Sequence, residues 1–294
     1  MQRTWVHWTL FISLCVIWGS SFFLMKEGML QLTAYQVASI RMISAGLVLT
    51  PFVKKAWQSI PKHQVGKVML SGLLGSFFPA YLFCMAETKI DSALAGILNA
   101  LTPLFTLLVG IFFFGLQARM VQIMGTLIGF LGLCMLMISG TGFQWGNISY
   151  SLLVLLATLL YGINVNMVGR YMQGIGALNI AALAFVLLIV PAGMILISTG
   201  FFQLNFSAPE VLRSVGAAAI LGIGGTAIAS ILFYMLVKRA GAVFASMVTY
   251  GIPFVAVAWG LLRDEHINSH QVFCLLIILA GVYLVNRKEK PTKG

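Results

Sequence analysis

Acidic residues are scarce in this chain. Asp and Glu number seven against 18 Lys and Arg, and charged residues make up only 9% of the 294. A soluble domain carries about 25% charge, and so few polar groups cannot cover a protein of this size in water. That excludes a soluble enzyme and a disordered chain. Cysteine is equally thin: Cys15, Cys84, Cys134 and Cys274 all lie in apolar runs, none in CxxC spacing. No disulfide framework and no cysteine-based zinc site follows from such placement. The chain also lacks a Gly-rich phosphate loop, HExxH, Gly-x-Gly-Asp, GxSxG and any histidine in mid-run. Direct ATP coupling is therefore not indicated, and the chain reads as no enzyme, because membrane-embedded enzymes need nucleophile–base or metal constellations.

What is abundant is apolar: 60% of residues, with a mean hydropathy of +0.98. A bilayer core about 30 Å thick takes roughly 20 helical residues per crossing. Runs of that length fall near 6–25, 33–53, 66–86, 92–115, 119–139, 148–168, 176–199, 214–237, 242–262 and 269–286. Period-2 alternation, the mark of a membrane β-barrel, is absent. The run after Arg3 is too long for a signal-peptide core and no small-x-small site follows, so it reads as a retained first helix. With the N-terminus inside, 13 basic residues fall on the inner side and four on the outer, with Arg41 within a span. This bias predicts both termini cytoplasmic. It also accounts for the net charge of +11 without nucleic acid.

The chain repeats itself. A shift of 150 residues aligns Gly72, Gly75, Leu82, Phe83, Met85, Ala95, Pro103 and Gly110 with Gly222, Gly225, Leu232, Phe233, Met235, Ala245, Pro253 and Gly260. At a shift of 143, Trp18-Gly19 meets Tyr161-Gly162. Two five-helix units, 1–147 and 148–294, are expected. Five is odd, so the second copy enters the bilayer upside down. Inverted repeats around a midplane site are a recurring plan of secondary transporters, since such a fold can open to either side. The expected fold is all-α integral membrane, ten transmembrane helices as two inverted five-helix repeats.

Trp18-Gly19-Ser20-Ser21-Phe22 in the first helix and Ala93-Leu94-Ala95-Gly96-Ile97-Leu98-Asn99-Ala100-Leu101-Thr102-Pro103-Leu104 in the fourth resemble the drug/metabolite transporter superfamily, EamA branch. Arg41 fits that pattern, as do Ala245, Pro253, Gly260 and Glu265 in the second copy. Leu116 departs from it, standing where the first copy would carry an acidic residue opposite Glu265. The resemblance covers nearly the whole chain. It implies a ten-helix exporter of amino acids, nucleosides or other small metabolites.

Polar groups inside a membrane are costly unless they face protein or water, so each is a site candidate. Arg41 could attract a carboxylate-bearing solute, form a gating ion pair with Glu87 or Glu27, or bond helix-end carbonyls structurally. Asn99, Thr102, Pro103 and Thr106 share one helical face. Pro103 removes a backbone donor and frees a carbonyl near residue 99; Pro253 with Thr249 and Tyr250 repeats the arrangement. Both prolines are expected to bend their helices. Tyr161 and Asn164 share a face of the sixth helix, with Trp18 and Ser21 matching them in the first. Tyr81 and Tyr234, mid-helix, complete the solute-binding candidates. Glu87 is the candidate for ion coupling if the third helix is longer than read. Asp264-Glu265-His266 with His270 mimics metal-ligand spacing, but a cap at Asn268 or Ser269 breaks the turn a joint site needs, and no metal or cofactor is expected.

These readings converge on a secondary carrier in the inner cell membrane, exporting small metabolites such as amino acids by alternating access. Its partners are a small solute and the bilayer, without nucleic acid, and as a monomer rather than an obligate oligomer. A sugar-phosphate or nucleotide-sugar translocator is the alternative, though solutes of two or more charges should recruit more basic residues. An enzyme, a receptor and a channel remain the other classes, and saturable counterflow separates a carrier from each.

Overall fold

A computed structural model describes residues 2–90, 92–138, 148–261 and 269–286. Among them the chain is entirely helical and folds into ten rods. These are α1 (Gln2–Gly28), α2 (Ala34–Ser59), α3 (Lys62–Ala86), α4 (92–114), α5 (Met120–Ile138), α6 (Ile148–Tyr171), α7 (Ala177–Ser198), α8 (Pro209–Ala240), α9 (242–261) and α10 (Ser269–Asn286). Helix is the answer lipid demands, because every backbone N–H and C=O is then satisfied within its own segment. Six rods are long and apolar enough to cross a membrane as they stand, namely α1, α2, α3, α6, α7 and α8. The other four contain shorter apolar helices. The chain is a multi-pass membrane protein.

Local chemistry sets the rod ends. Thr33 and Gln36 form a capping box at the start of α2: the Thr33 hydroxyl accepts from the Gln36 N–H (3.3 Å), and the Gln36 amide oxygen accepts from the Thr33 N–H (2.9 Å). The Gln36 amide then donates to Thr199 O at the end of α7 (3.2 Å), tying the second helix of one half to that of the other. Gly115, at φ +62°, ends α4 in the left-handed conformation that side-chain-bearing residues avoid.

The broken rods come in matching positions. α4 consists of Ser92–Asn99 and Thr102–Phe114, and α9 of Ala242–Ser246 and Val248–Leu261. In α4 Pro103 sits in the first turn after the break, where its missing N–H costs nothing. The carbonyl it frees is not left bare, because the Thr102 hydroxyl donates to Asn99 O (2.6 Å). In α9 the break falls at Met247, ahead of Pro253, whose side chain lies outside the described residues. There the hydroxyls of Ser246 and Thr249 turn back on Val243 O (2.8 Å) and Ser246 O (3.1 Å).

α3 and α8 each carry a wide π turn, Leu73–Phe77 and Leu221–Ile228. The 150-residue shift lays the first inside the second and sets Gly75 on Gly225. Such turns concentrate at functional sites.

The main helix contacts obey one exchange rule: replacing helix n by helix n+5 reproduces the largest of them. α1 packs on α8 and α9, while α6 packs on α3 and α4; α2 pairs with α7, and α5 with α10. Small residues make the crossings close. A Cβ at Gly19 would lie 2.8 Å from Val255 Cβ, and one at Gly162 would lie 3.0 Å from the Phe105 backbone carbon. The shifts map one contact onto the other. The halves thus interlock rather than stand side by side, and the space between them is shared.

Candidate functional site

Between the halves lies a cavity of about 930 Å³, its mouth included. The shifts read from the sequence organise its wall. Trp18, Ser21 and Phe22 of α1 line it, and so do their counterparts Tyr161, Asn164 and Val165 of α6. Gly75, Ser76 and Phe83 of α3 line it opposite Gly225, Thr226 and Phe233 of α8. Asn99 and Thr102 at the α4 break answer to Thr249 and Ile252 beyond the α9 break. The cavity therefore sits on the relation between the repeats.

The glycines explain how the wall closes. A Cβ on Gly75 would overlap the Asn164 amide, and one on Gly225 would lie 2.6 Å from Ser21 Oγ. Both glycines let a polar side chain of the other half approach the π turn. The Trp18 indole N–H then donates to Gly225 O (3.0 Å). Asn164 Oδ1 accepts from the Ser71 hydroxyl (2.6 Å), and Tyr234 OH lies 3.4 Å from the same hydroxyl. Arg41 of α2 donates through Nε to Thr226 Oγ1 (2.6 Å). Rings pair across the wall in repeat-related fashion, Trp18 with Phe233 at 5.2 Å between centroids and Tyr161 with Phe83 at 6.1 Å. Among the described residues Arg41 is the single formal charge of the lining, and no group of three His, Cys, Asp or Glu could hold a metal.

Nine of the sequence candidates meet here: Trp18, Ser21, Arg41, Asn99, Thr102, Tyr161, Asn164, Tyr234 and Thr249. Tyr81 and Tyr250 lie off the lining. Tyr81 OH is 2.7 Å from the Ser39 hydroxyl, and Tyr250 OH donates to Thr126 O of α5 (3.0 Å). Tyr234 takes the place of Tyr81 in the wall. Glu87 is buried at the turn that ends α3, beside rather than in the cavity. Glu27 pairs with Arg213 of α8 (3.2 Å), so it does not serve as the partner of Arg41. Asp264, Glu265 and His266 lie outside the described residues. Sequence reasoning missed Ser76, Thr226, Ser230 and Ser246. The repeat held the signal for the first two, since they directly follow the aligned Gly75 and Gly225.

A packing role for Tyr250 has a measurable consequence. Tyr250→Phe removes one buried hydrogen bond and should lower stability by about 1 kcal/mol while leaving solute flux unchanged. Thermal unfolding and flux measured on the same preparation check this.

Residues 6–138 and 148–287 each match the EamA-like transporter family. The chain belongs to that family. It is a membrane transporter, and the two relatives described next carry the names of transporters rather than of enzymes. The "Uncharacterized inner membrane transporter YedA" of Escherichia coli (strain K12) is 27% identical over 284 residues, covering 93% of this chain and 88% of that one. An "Uncharacterized transporter" of Archaeoglobus fulgidus is 23% identical over 294 residues, covering 96% and 99%. A solved crystal structure shares the fold with a TM-score of 0.72 at 17% identity, covering 94% of both chains. The two family matches fall on the two helix sets that the exchange rule relates.

Proposed function

We propose that this EamA-family transporter is a secondary carrier that exports small metabolites, such as amino acids, across the inner cell membrane by alternating access. In this reading residues 1–147 and 148–294 are inverted repeats, both termini are cytoplasmic, and one copy of the chain is the working unit. The observation that carries it is the wall built from repeat-related pairs. A site on the axis of an inverted repeat offers similar surroundings to a solute arriving from either side. Trp18 and Tyr161 form the aromatic ends of the site. Ser21, Asn99, Thr102, Asn164 and Thr249 supply hydrogen bonds, and Arg41 supplies charge. Pro103 favours the break of α4 that exposes this polar wall, and Pro253 bends α9 beyond its own break. Glu87 acts from the end of α3 as the candidate for ion coupling, without touching solute.

One lining cation supports an amino acid or similar metabolite over a sugar phosphate or nucleotide sugar, whose multiple charges would go unmatched. Counterflow into proteoliposomes preloaded with amino acids, nucleosides, sugar phosphates or organic cations tests the proposal. The carrier reading expects saturable exchange of one class, reduced at least about tenfold in Asn99→Ala, the loss expected when a buried polar contact to solute is removed. Non-saturable flux would make it a channel. No exchange from folded protein would overturn the reading.

A further inference from the structure

The charge of the cavity is one-sided. Arg41 lies half-buried on α2, and Thr226 on the π turn of α8 engages only its Nε. The Thr226 hydroxyl is held in turn, 3.4 Å from Leu221 O. Among the described residues the guanidinium has no other hydrogen-bond partner and no paired carboxylate, and no Asp or Glu lines the cavity. The opposite half does not repeat the charge. Gly72 packs on Ala184 of α7 as Gly222 packs on the Arg41 backbone, so the counterpart of Arg41 is an alanine.

A guanidinium carries five N–H donors in a fixed fork, and one is spent on Thr226. The terminal nitrogens remain for a planar acceptor. A cation with no carboxylate bonded to it is costly in a low-dielectric cavity, and the buried Glu87, which shares with Arg41 an electrostatic influence on Cys84, lies off the lining. A carboxylate that takes both terminal nitrogens relieves that cost with two charge-assisted bonds. A second anionic group on the solute would meet no second cation. A cationic solute would meet repulsion and no acid. The repeat-related ring pairs Trp18–Phe233 and Phe83–Tyr161 offer flat apolar surface to the rest of the molecule.

We propose that Arg41 is the anion-recognition residue and that the transported solute carries one carboxylate on a flat, apolar body. The assignment rests on the carrier reading above and names the substrate class of that site.

A matched series tests it on the intact protein: 3-phenylpropanoate, L-phenylalanine, 3-phenylpropanamide, 3-phenylpropylamine and benzylphosphonate. Each is assayed for counterflow in proteoliposomes and for thermal stabilisation in detergent. The two monocarboxylates are expected to exchange and to bind at least about tenfold more tightly than the amide, with the amine and the phosphonate weaker still. Arg41→Gln should erase the carboxylate-over-amide preference without erasing amide binding, and Arg41→Lys, a charge without the fork, should fall between. Equal binding of carboxylate and amide by the unaltered protein overturns the proposal whether or not the variants fold. Exchange of the amine or the phosphonate alone overturns it while the carrier reading stands. Arg41-dependent stabilisation by 3-phenylpropanoate without any flux keeps Arg41 as the anion-recognition residue and overturns the carrier reading. Folded protein that neither exchanges nor is stabilised by either monocarboxylate overturns the assignment.

Discussion

Gly281→Ala is expected to cost the protein most of its folded yield. A Cβ at this position of α10 would lie 2.5 Å from Gly129 N and 2.6 Å from Gly125 O of α5. Both are backbone atoms, which cannot turn aside as the end of a side chain can. Within a bilayer no hydrophobic gain holds two helices together, so close backbone approach through small residues is itself the source of association. One methyl must then push α5 and α10 apart along their whole contact. Overpacking typically costs 1–3 kcal/mol, and a backbone obstruction places the change at roughly 3 kcal/mol. Thermal unfolding in detergent, read beside Gly216→Ala, measures it. Gly216 of α8 has open space around the added methyl, so that change should be neutral or stabilise by up to about 1 kcal/mol. Equal melting of the two variants would mean that α5 and α10 do not meet this closely.

The second large effect is on selectivity. Asn164→Asp keeps the size of the side chain and its acceptor for the Ser71 hydroxyl, so the fold should survive. It places a carboxylate in the lining of the cavity that also holds Arg41. An internal anion in the same low-dielectric cavity competes with a solute anion for one guanidinium. Counterflow of 3-phenylpropanoate should drop at least about tenfold, and 3-phenylpropylamine should gain. Unchanged discrimination would detach Arg41 and Asn164 from the solute.

Much of this arrangement was legible in the residues. The apolar run 176–199 matches α7 to one residue at each end, and the other runs differ from their rods by a few residues at most ends that fall within the described residues. Trp18 and Tyr161 could be paired because a Gly follows each. Asn99 and Thr102 were picked out by helical spacing, and both line the cavity although they flank the break of α4. Tyr81 defeated such reasoning, because it lies beyond a π turn whose extra residue rotates everything that follows relative to an ideal helix. Tyr234, read from the same mid-helix placement, does line the cavity. Thr249 and Tyr250 show a different limit. They are adjacent, about 100° apart on a helix, so only one could face the cavity, and nothing in the pattern says which. The break of α9 at Met247 was equally hidden, because the proline signal lies six positions further on. Hydroxyls returning to their own carbonyls leave no comparable mark in sequence.

The central claim is that solute crosses through the cavity shared by the two repeats, open in turn to each side. Ser21 of α1 lines it, and its hydroxyl bonds only locally, to Ile17 O (2.8 Å), so the position tolerates a thiol. The most direct measurement places Ser21→Cys in a protein whose four native cysteines are replaced by alanine. A membrane-impermeant thiol reagent is then applied from one face and, separately, from the other. The account predicts labelling from both faces, loss of counterflow on labelling, and protection by the transported solute. Labelling confined to one face under all conditions, or counterflow that persists after complete labelling, would contradict it.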